Sequence, residues 1–161
     1  MLAQLTTVLT FLAAMGSGLM AGLFFAYSNS VMPALARMPA TQGIAAFNHV
    51  NVVIYNPLFL TIFTGTAVLA LLLIAVALLG WTARPGWVLA GTALYLIGNV
   101  AVTAGINLPM NEALAAAGAD SANSAALWAT HLDRWVVWNH IRALACTGAL
   151  AAFIAALMSS N

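Results

Sequence analysis

The chain has 161 residues, of which 64% are hydrophobic and 4% are charged, and its formal net charge is +1. This composition lies outside the range of soluble domains and predicts a single integral membrane domain over residues 1–161. The near-neutral charge excludes electrostatic binding to nucleic acid, and the single cysteine, Cys146, excludes a disulfide framework and a Cys-x-x-Cys metal site.

The first apolar segment covers residues 5–31. No Lys or Arg precedes Arg37, and the run is longer than the apolar part of a secretory leader, so we interpret it as an uncleaved membrane span. Small residues recur near its middle at four-residue spacing, namely Gly18, Gly22 and Ala26. Such spacing favours close approach of another helix. We expect the helix to stop at Pro33 and a loop to follow over residues 34–44.

The second segment, residues 45–79, starts with polar turns and then becomes almost wholly apolar. The polar side chains at its start are Asn48, His49, Asn51, Tyr55 and Asn56. Pro57 lacks a backbone donor, which predicts a bend within one continuous helix. A short turn over residues 80–86 follows, with Arg84 in solvent.

The third segment, residues 87–108, carries glycines every seven residues, at Gly91, Gly98 and Gly105. We expect it to end at Pro109, between Asn107 and Asn111, and a loop to reach about residue 124. The fourth segment starts near residue 125 and is apolar over residues 143–158.

Four antiparallel spans with short hairpin loops predict an all-α, four-helix transmembrane bundle. Loops 34–46 and 109–125 then lie on the side of the membrane opposite to both termini. Nearly all polar side chains, including all three histidines, gather at that end. They form either a structural hydrogen-bond network or a polar binding pocket. Positive charges are almost balanced between the two sides, so the orientation stays open.

The stretch 135–142 lies at the mouth of the last span. Helical geometry puts one set of side chains on a common face, namely His131, Trp135, Trp138 and Arg142, with Asn139 on its flank. Asp133 and His140 point roughly the other way. An arginine in so apolar a helix needs a partner, an anion or water.

Two kinds of chemistry fit these residues. His49, Glu112 and His131 are metal-ligand types, but they come from separate segments without His-x-x-x-His or Glu-x-x-His spacing. We therefore assign no metal and no haem, and leave copper or iron open as a cofactor. In acid–base chemistry, His140 or His49 would act as the base, and Arg142 would stabilise an oxygen that becomes negative.

Four sequence blocks, in order along the chain, resemble the anthrone oxygenase-like family of small integral membrane proteins. The first is GLFFAYSNSVMPAL from Gly22, and the second is Asn51 together with NPLF at residues 56–59. The third is NLPMNEAL from Asn107, and the fourth is WxxWNHxR from Trp135. The resemblance implies a four-helix membrane protein, and some fungal members are associated with oxidising anthrones to anthraquinones with molecular oxygen. The positions that match the family pattern are Asn51, Asn56, Asn107, Asn111, Asn139 and Arg142. His49 stands where many relatives have glutamine.

We therefore expect a membrane oxidoreductase that oxidises a small aromatic or enolisable lipophilic substrate with O2. The expected catalytic residues are Arg142, His140 and His49. The expected substrate-binding residues are Asn51, Asn56, Asn107, Asn111, Asn139, Trp135 and Trp138.

Two alternatives stay open. The chain is either a non-catalytic module that binds or transports a lipophilic ligand or ion, or a structural subunit that docks a partner through surface residues such as Arg37 or Asp120. The expected partners are the lipid bilayer and the substrate, and the small-residue stripes are compatible with a homo-oligomer. We expect a multi-pass protein of the bacterial inner membrane.

Overall fold

The computed structural model describes residues 1–119 and 122–158, which form five helices and contain no strand. We number them α1 (Leu2–Leu35), α2 (Ala40–Val53), α3 (Pro57–Leu78), α4 (Pro85–Ala117) and α5 (Ser124–Leu157). All except α2 are long and apolar enough to cross a membrane. The predicted all-α fold with four spans is confirmed, and the chain is a multi-pass membrane protein.

The four spans pack in a ring, in which α1 contacts α3 and α5, and α4 contacts the same two helices. Fully buried side chains between them include Leu73, Val88 and Phe153. A Cβ atom on Gly91 would lie 2.7 Å from the ring of Phe153, so the missing side chain lets α4 approach α5 closely. Gly105, by contrast, has open space around it.

The small-residue stripe predicted on α1 does not form a continuous contact. Gly18 lies near Leu150 of α5, with a Cβ position 3.5 Å from its side chain. Gly22 is exposed and has no neighbour within 4 Å of its Cβ position, and Ala26 is also exposed. The helix therefore turns this part of the stripe outward.

The prediction that the first helix stops at Pro33 is wrong. The backbone widens into a π turn over Tyr27–Val31 and the helix continues to Leu35. At the end of this turn the N–H of Met32 bonds to the carbonyl of Tyr27, five residues earlier. The wider turn relieves the clash that a proline ring makes with the preceding turn of an α-helix.

The same device carries α4 through Pro109, where the sequence predicted a helix end. Two π turns, Leu96–Ala101 and Thr103–Asn107, precede this proline, and the N–H of Leu108 bonds to the carbonyl of Thr103. The helix then runs on to Ala117. Segments predicted as loops therefore extend α1 and α4 beyond their prolines.

The predicted single helix over residues 45–79 is two helices, and the last part of the expected loop before it, from Ala40, belongs to α2. The chain breaks between α2 and α3, where the Asn56 side-chain oxygen accepts a hydrogen bond from the Phe59 N–H at 3.0 Å. Pro57 is the first residue of α3, a position at which no backbone donor is required. The predicted bend is thus a helix start with its own cap.

Helix α2 covers one end of the bundle. It packs on α4 and α5, where a second apolar cluster forms. Its buried members are Met32, Ile44, Phe47, Leu114, Trp128 and Trp135. The 34 residues of α5 span about 51 Å, more than the roughly 30 Å of bilayer hydrocarbon, so part of this helix projects from the membrane.

Candidate functional site

A cavity of about 270 Å³ lies inside the bundle next to α2. All five helices contribute to its wall. Its polar and aromatic lining includes Phe24, Tyr27, Asn51, Tyr55, Phe59, Phe63, Thr103, Asn107, Asn111, Trp135 and Arg142. The volume is near the lower end of the range for small-molecule sites, and a largely apolar wall with a few polar groups is their usual composition.

Arg142 of α5 reaches this cavity, and its side chain is only 6% exposed. Nη1 donates to Thr103 Oγ1 at 3.1 Å, and Nη2 donates to Asn139 Oδ1 at 2.6 Å. The guanidinium carbon lies 4.3 Å from the ring centroid of Phe24 and 5.4 Å from that of Trp135. None of these partners carries a negative charge, so an anion in the cavity would find an uncompensated cation.

Asn139 holds the guanidinium in place. Its side chain is fully buried, and Nδ2 donates to the Phe24 carbonyl and to Ser28 Oγ, both at 2.7 Å. With Oδ1 bound to Arg142, every hydrogen-bonding group of the amide except one oxygen lone pair is engaged. Asn139 does not line the cavity, and its geometry is that of a residue that orients Arg142 rather than one that contacts substrate.

A polar stripe on α4 lies next to Arg142 and forms a further part of the cavity wall. Its members are Asn99, Thr103, Asn107 and Asn111, at four-residue spacing. In a regular α-helix each four-residue step overshoots a full turn by about 40°, and the stripe would wind away. The π turns hold more residues per turn, and three of the four residues stay on the cavity wall.

Several polar groups at the cavity are buried without a hydrogen-bond partner among the described residues. They are both amide atoms of Asn107, which is 1% exposed, together with Asn111 Oδ1 and Arg142 Nε. Asn111 Nδ2 donates to Asn51 Oδ1 at 3.0 Å, and Asn51 Nδ2 donates to the Phe47 carbonyl. Buried polar groups normally form hydrogen bonds, so Asn107 Nδ2 and Arg142 Nε are suited to donate to a ligand oxygen, and the two amide oxygens are suited to accept from a ligand hydroxyl.

The structure thus brings together five of the predicted site residues: Asn51, Asn107, Asn111, Trp135 and Arg142. His49 and His140 are exposed and do not line the cavity; His140 lies on an outer groove beside Asn29. Trp138 is half-buried and also lies outside the cavity lining, while Asn56 is exposed and caps α3. The geometry therefore provides no histidine base beside Arg142 in the described part of the chain.

His131 is buried in a cluster of aromatic rings. It is 5% exposed, and its ring stacks on Trp128 with centroids 5.9 Å apart and meets the edge of Phe47 at 4.8 Å. Glu112 is exposed. Within residues 1–119 and 122–158, no three His, Cys, Asp or Glu side chains are grouped as metal ligands, so His49, Glu112 and His131 do not form a common site.

The polar residues of this end do not share one chamber. Many of them face outward instead, including Asn29, His49, Asp133, Arg134 and His140. Arg37, named with Asp120 as a docking surface, is exposed, and Asp120 lies outside the described residues.

Sequence reasoning missed Thr103 and Phe24, which contact the guanidinium directly. The four-residue spacing of Asn99, Thr103 and Asn107 was a signal that pointed to Thr103. No sequence pattern pointed to Phe24, because nothing distinguishes it from the other apolar residues of an apolar helix.

Comparison with known proteins gives one finding that bears on these residues. A family model described as anthrone oxygenase matches residues 53–152, well over half of the chain. The matched part contains the α4 stripe, Trp135, Asn139 and Arg142. No curated protein and no solved structure gives a significant match. The chain belongs to the anthrone oxygenase family.

Proposed function

We propose that this protein is a membrane oxidoreductase that oxidises a small aromatic, enolisable lipophilic substrate with O2. The observation that supports this most strongly is the buried guanidinium of Arg142, which has no anionic partner among the described residues and lies in a cavity walled by aromatic rings. Such a site favours a flat molecule that becomes negatively charged at one oxygen.

The reaction begins when a ring methylene, conjugated with a carbonyl on the opposite side of the same ring, loses a proton to water. This gives an enolate whose oxygen faces Arg142, and the proton is returned when O2 is reduced to water. Fixed donors aimed at such an oxygen are worth about 3–4 kcal/mol each in enzymes, because they need no reorganisation when the charge develops. Asn107 and Asn111 would position the oxygens of the substrate. Since His49 and His140 lie away from the cavity, neither histidine is part of this proposal.

The electron-rich anion then reacts with O2. In the net change, a ring methylene loses two hydrogens and gains one oxygen atom to become a carbonyl, and the other oxygen atom leaves as water. The methylene carbon is oxidised, O2 is reduced, and one O2 is consumed per substrate. Arg142 neutralises the anion throughout, while the aromatic walls exclude bulk water.

The test is turnover of an anthrone by the protein in proteoliposomes, followed by O2 uptake and by the absorbance of the quinone product. We expect Arg142→Gln to lower kcat/KM at least about 100-fold, since the developing charge loses its cation. Arg134→Gln is the matched control, because Arg134 is an exposed arginine on the same helix.

Unchanged turnover in Arg142→Gln would contradict the mechanism. Saturable binding of the anthrone without O2 uptake in the native protein would instead favour the non-catalytic binding module, which the same cavity also accommodates.

A further inference from the structure

The cavity opens sideways, between α3 and α4. Among its exposed lining residues, Leu60 and Thr64 form a stripe on α3, and Ala104 lies on α4. Tyr55 stands at the end of the stripe and is 51% exposed. Helix α3 packs on the first part of α4, through Leu96–Ala101, and makes few contacts with α4 beyond it. The two helices therefore separate at the level of the cavity.

This opening faces the bilayer rather than water. The 22 residues of α3 span about 33 Å, close to the thickness of bilayer hydrocarbon. Leu60 and Thr64 lie about 5 and 11 Å along the axis from the start of this helix at Pro57. Their stripe thus lies at hydrocarbon depth, near the end of the bundle that α2 covers.

The water-facing end of the cavity is covered. Helix α2 lies across it, and the hydrogen bond between Asn111 and Asn51 ties α4 to α2. Below α2, the rings of Phe47 and Trp135 meet edge to face with centroids 5.5 Å apart. A ligand dissolved in water would have to pass this cover, whereas a ligand dissolved in lipid would not.

The polar groups that lack a partner in the described part of the chain lie deep in the cavity, away from the opening between α3 and α4. Arg142 Nε and the amide of Asn107 have no partner among the described residues, whereas the mouth is formed by Leu60, Thr64 and Ala104, of which only Thr64 has a polar side chain. We propose that the ligand is a membrane-dissolved molecule with an acidic hydroxyl or enol, which enters between α3 and α4 with its oxygen first and leaves its apolar substituents in the bilayer. The 270 Å³ cavity then limits the size of the ring, but not the length of a tail. This inference rests on the proposed function for the polarity of the ligand.

The experiment measures binding of 2,6-dibromo-4-alkylphenols to the protein in lipid nanodiscs. Their hydroxyl is acidic, and their bromine atoms quench tryptophan fluorescence. The part of the quenching that is lost in Trp135→Phe comes from Trp135 and therefore measures binding in the cavity. The dissociation constant is expressed as a concentration of the probe in the lipid phase. We expect it to change less than about threefold from a methyl to an octyl tail, because the tail stays in lipid before and after binding.

Two pairs of variants test the route. Thr64→Phe and Ala104→Phe narrow the mouth, and each should weaken binding of the octyl probe about tenfold or more. Thr61→Phe and Ala101→Phe place the same ring on exposed positions of the same helices outside the cavity lining. They should change the affinity for the octyl probe less than about twofold. Thermal unfolding of all four variants checks that each one is folded.

A loss of about fourfold in affinity per added methylene would overturn the inference, because the tail would then be leaving lipid for water. Equal effects of the two variant pairs, or no saturable quenching by any probe, would also overturn it. Saturable, tail-tolerant binding without oxidation of an anthrone contradicts the proposed function but leaves the membrane route standing. If Thr64→Phe and Ala104→Phe leave the oxidation rate unchanged, the membrane route is contradicted and the proposed function stands.

Discussion

Replacing Asn139 with alanine removes the residue that fixes Arg142, and the structure gives the size of the effect. The substitution deletes three buried hydrogen bonds, to the Phe24 carbonyl, Ser28 Oγ and Arg142 Nη2. At about 0.6 kcal/mol for each hydrogen bond in a membrane bundle, these amount to about 2 kcal/mol. Leaving buried groups unpaired adds about 1–3 kcal/mol. We expect the free energy of unfolding to fall by about 3–5 kcal/mol.

The assay is reversible unfolding in mixed micelles, with turnover measured on the same preparations. Thr147→Ala is the control, because Thr147 is an exposed residue of the same helix whose hydroxyl bonds only within that helix. It should lower the free energy of unfolding by less than about 1 kcal/mol. An Asn139→Ala protein as stable as this control, with native turnover, would refute the view that the amide anchors the guanidinium to α1.

Two further predictions separate structural from catalytic roles. Asn56→Ala should lower the free energy of unfolding by about 1 kcal/mol, because the α3 cap is lost. It should leave KM within about twofold of the native value. A large rise in KM would instead show that Asn56 contacts the substrate. His131→Phe keeps an aromatic ring between Trp128 and Phe47, so turnover and the metal content of the purified protein should be unchanged; a loss of bound metal on this substitution would show His131 to be a ligand.

The spans were predictable because hydropathy is a local property of the sequence. Arg142 was recognisable for a similar reason, since a charge within an apolar helix must be accommodated whatever surrounds it. Its partners were harder to identify. The bond to Thr103 depends on where α4 lies in the bundle, and no local pattern in α5 carries that information.

The errors have a common cause in tertiary context. Pro33 and Pro109 look like helix ends to any local rule, and only the π turns before them let α1 and α4 continue. Asn56 and Asn107 are the same residue type within similar apolar sequence, yet one caps a helix and the other lines a cavity. The burial of His131 was not predicted, because α2, which covers it with Phe47, was not recognised as a separate helix.

The π turns of α4 also set the tolerance of this helix to changes in length. Such a turn amounts to a one-residue insertion in an α-helical ladder. Deleting a single residue from the regular part of α4, Pro85–Tyr95, would rotate everything downstream by about 100° around the axis. A deletion inside either π turn would instead be absorbed by a return to regular α-helical winding. In the first case Asn111 would turn away from Asn51, and the hydrogen bond that ties α4 to α2 would be lost. Homologous chains are therefore expected to differ in the length of α4 mainly within its π turns.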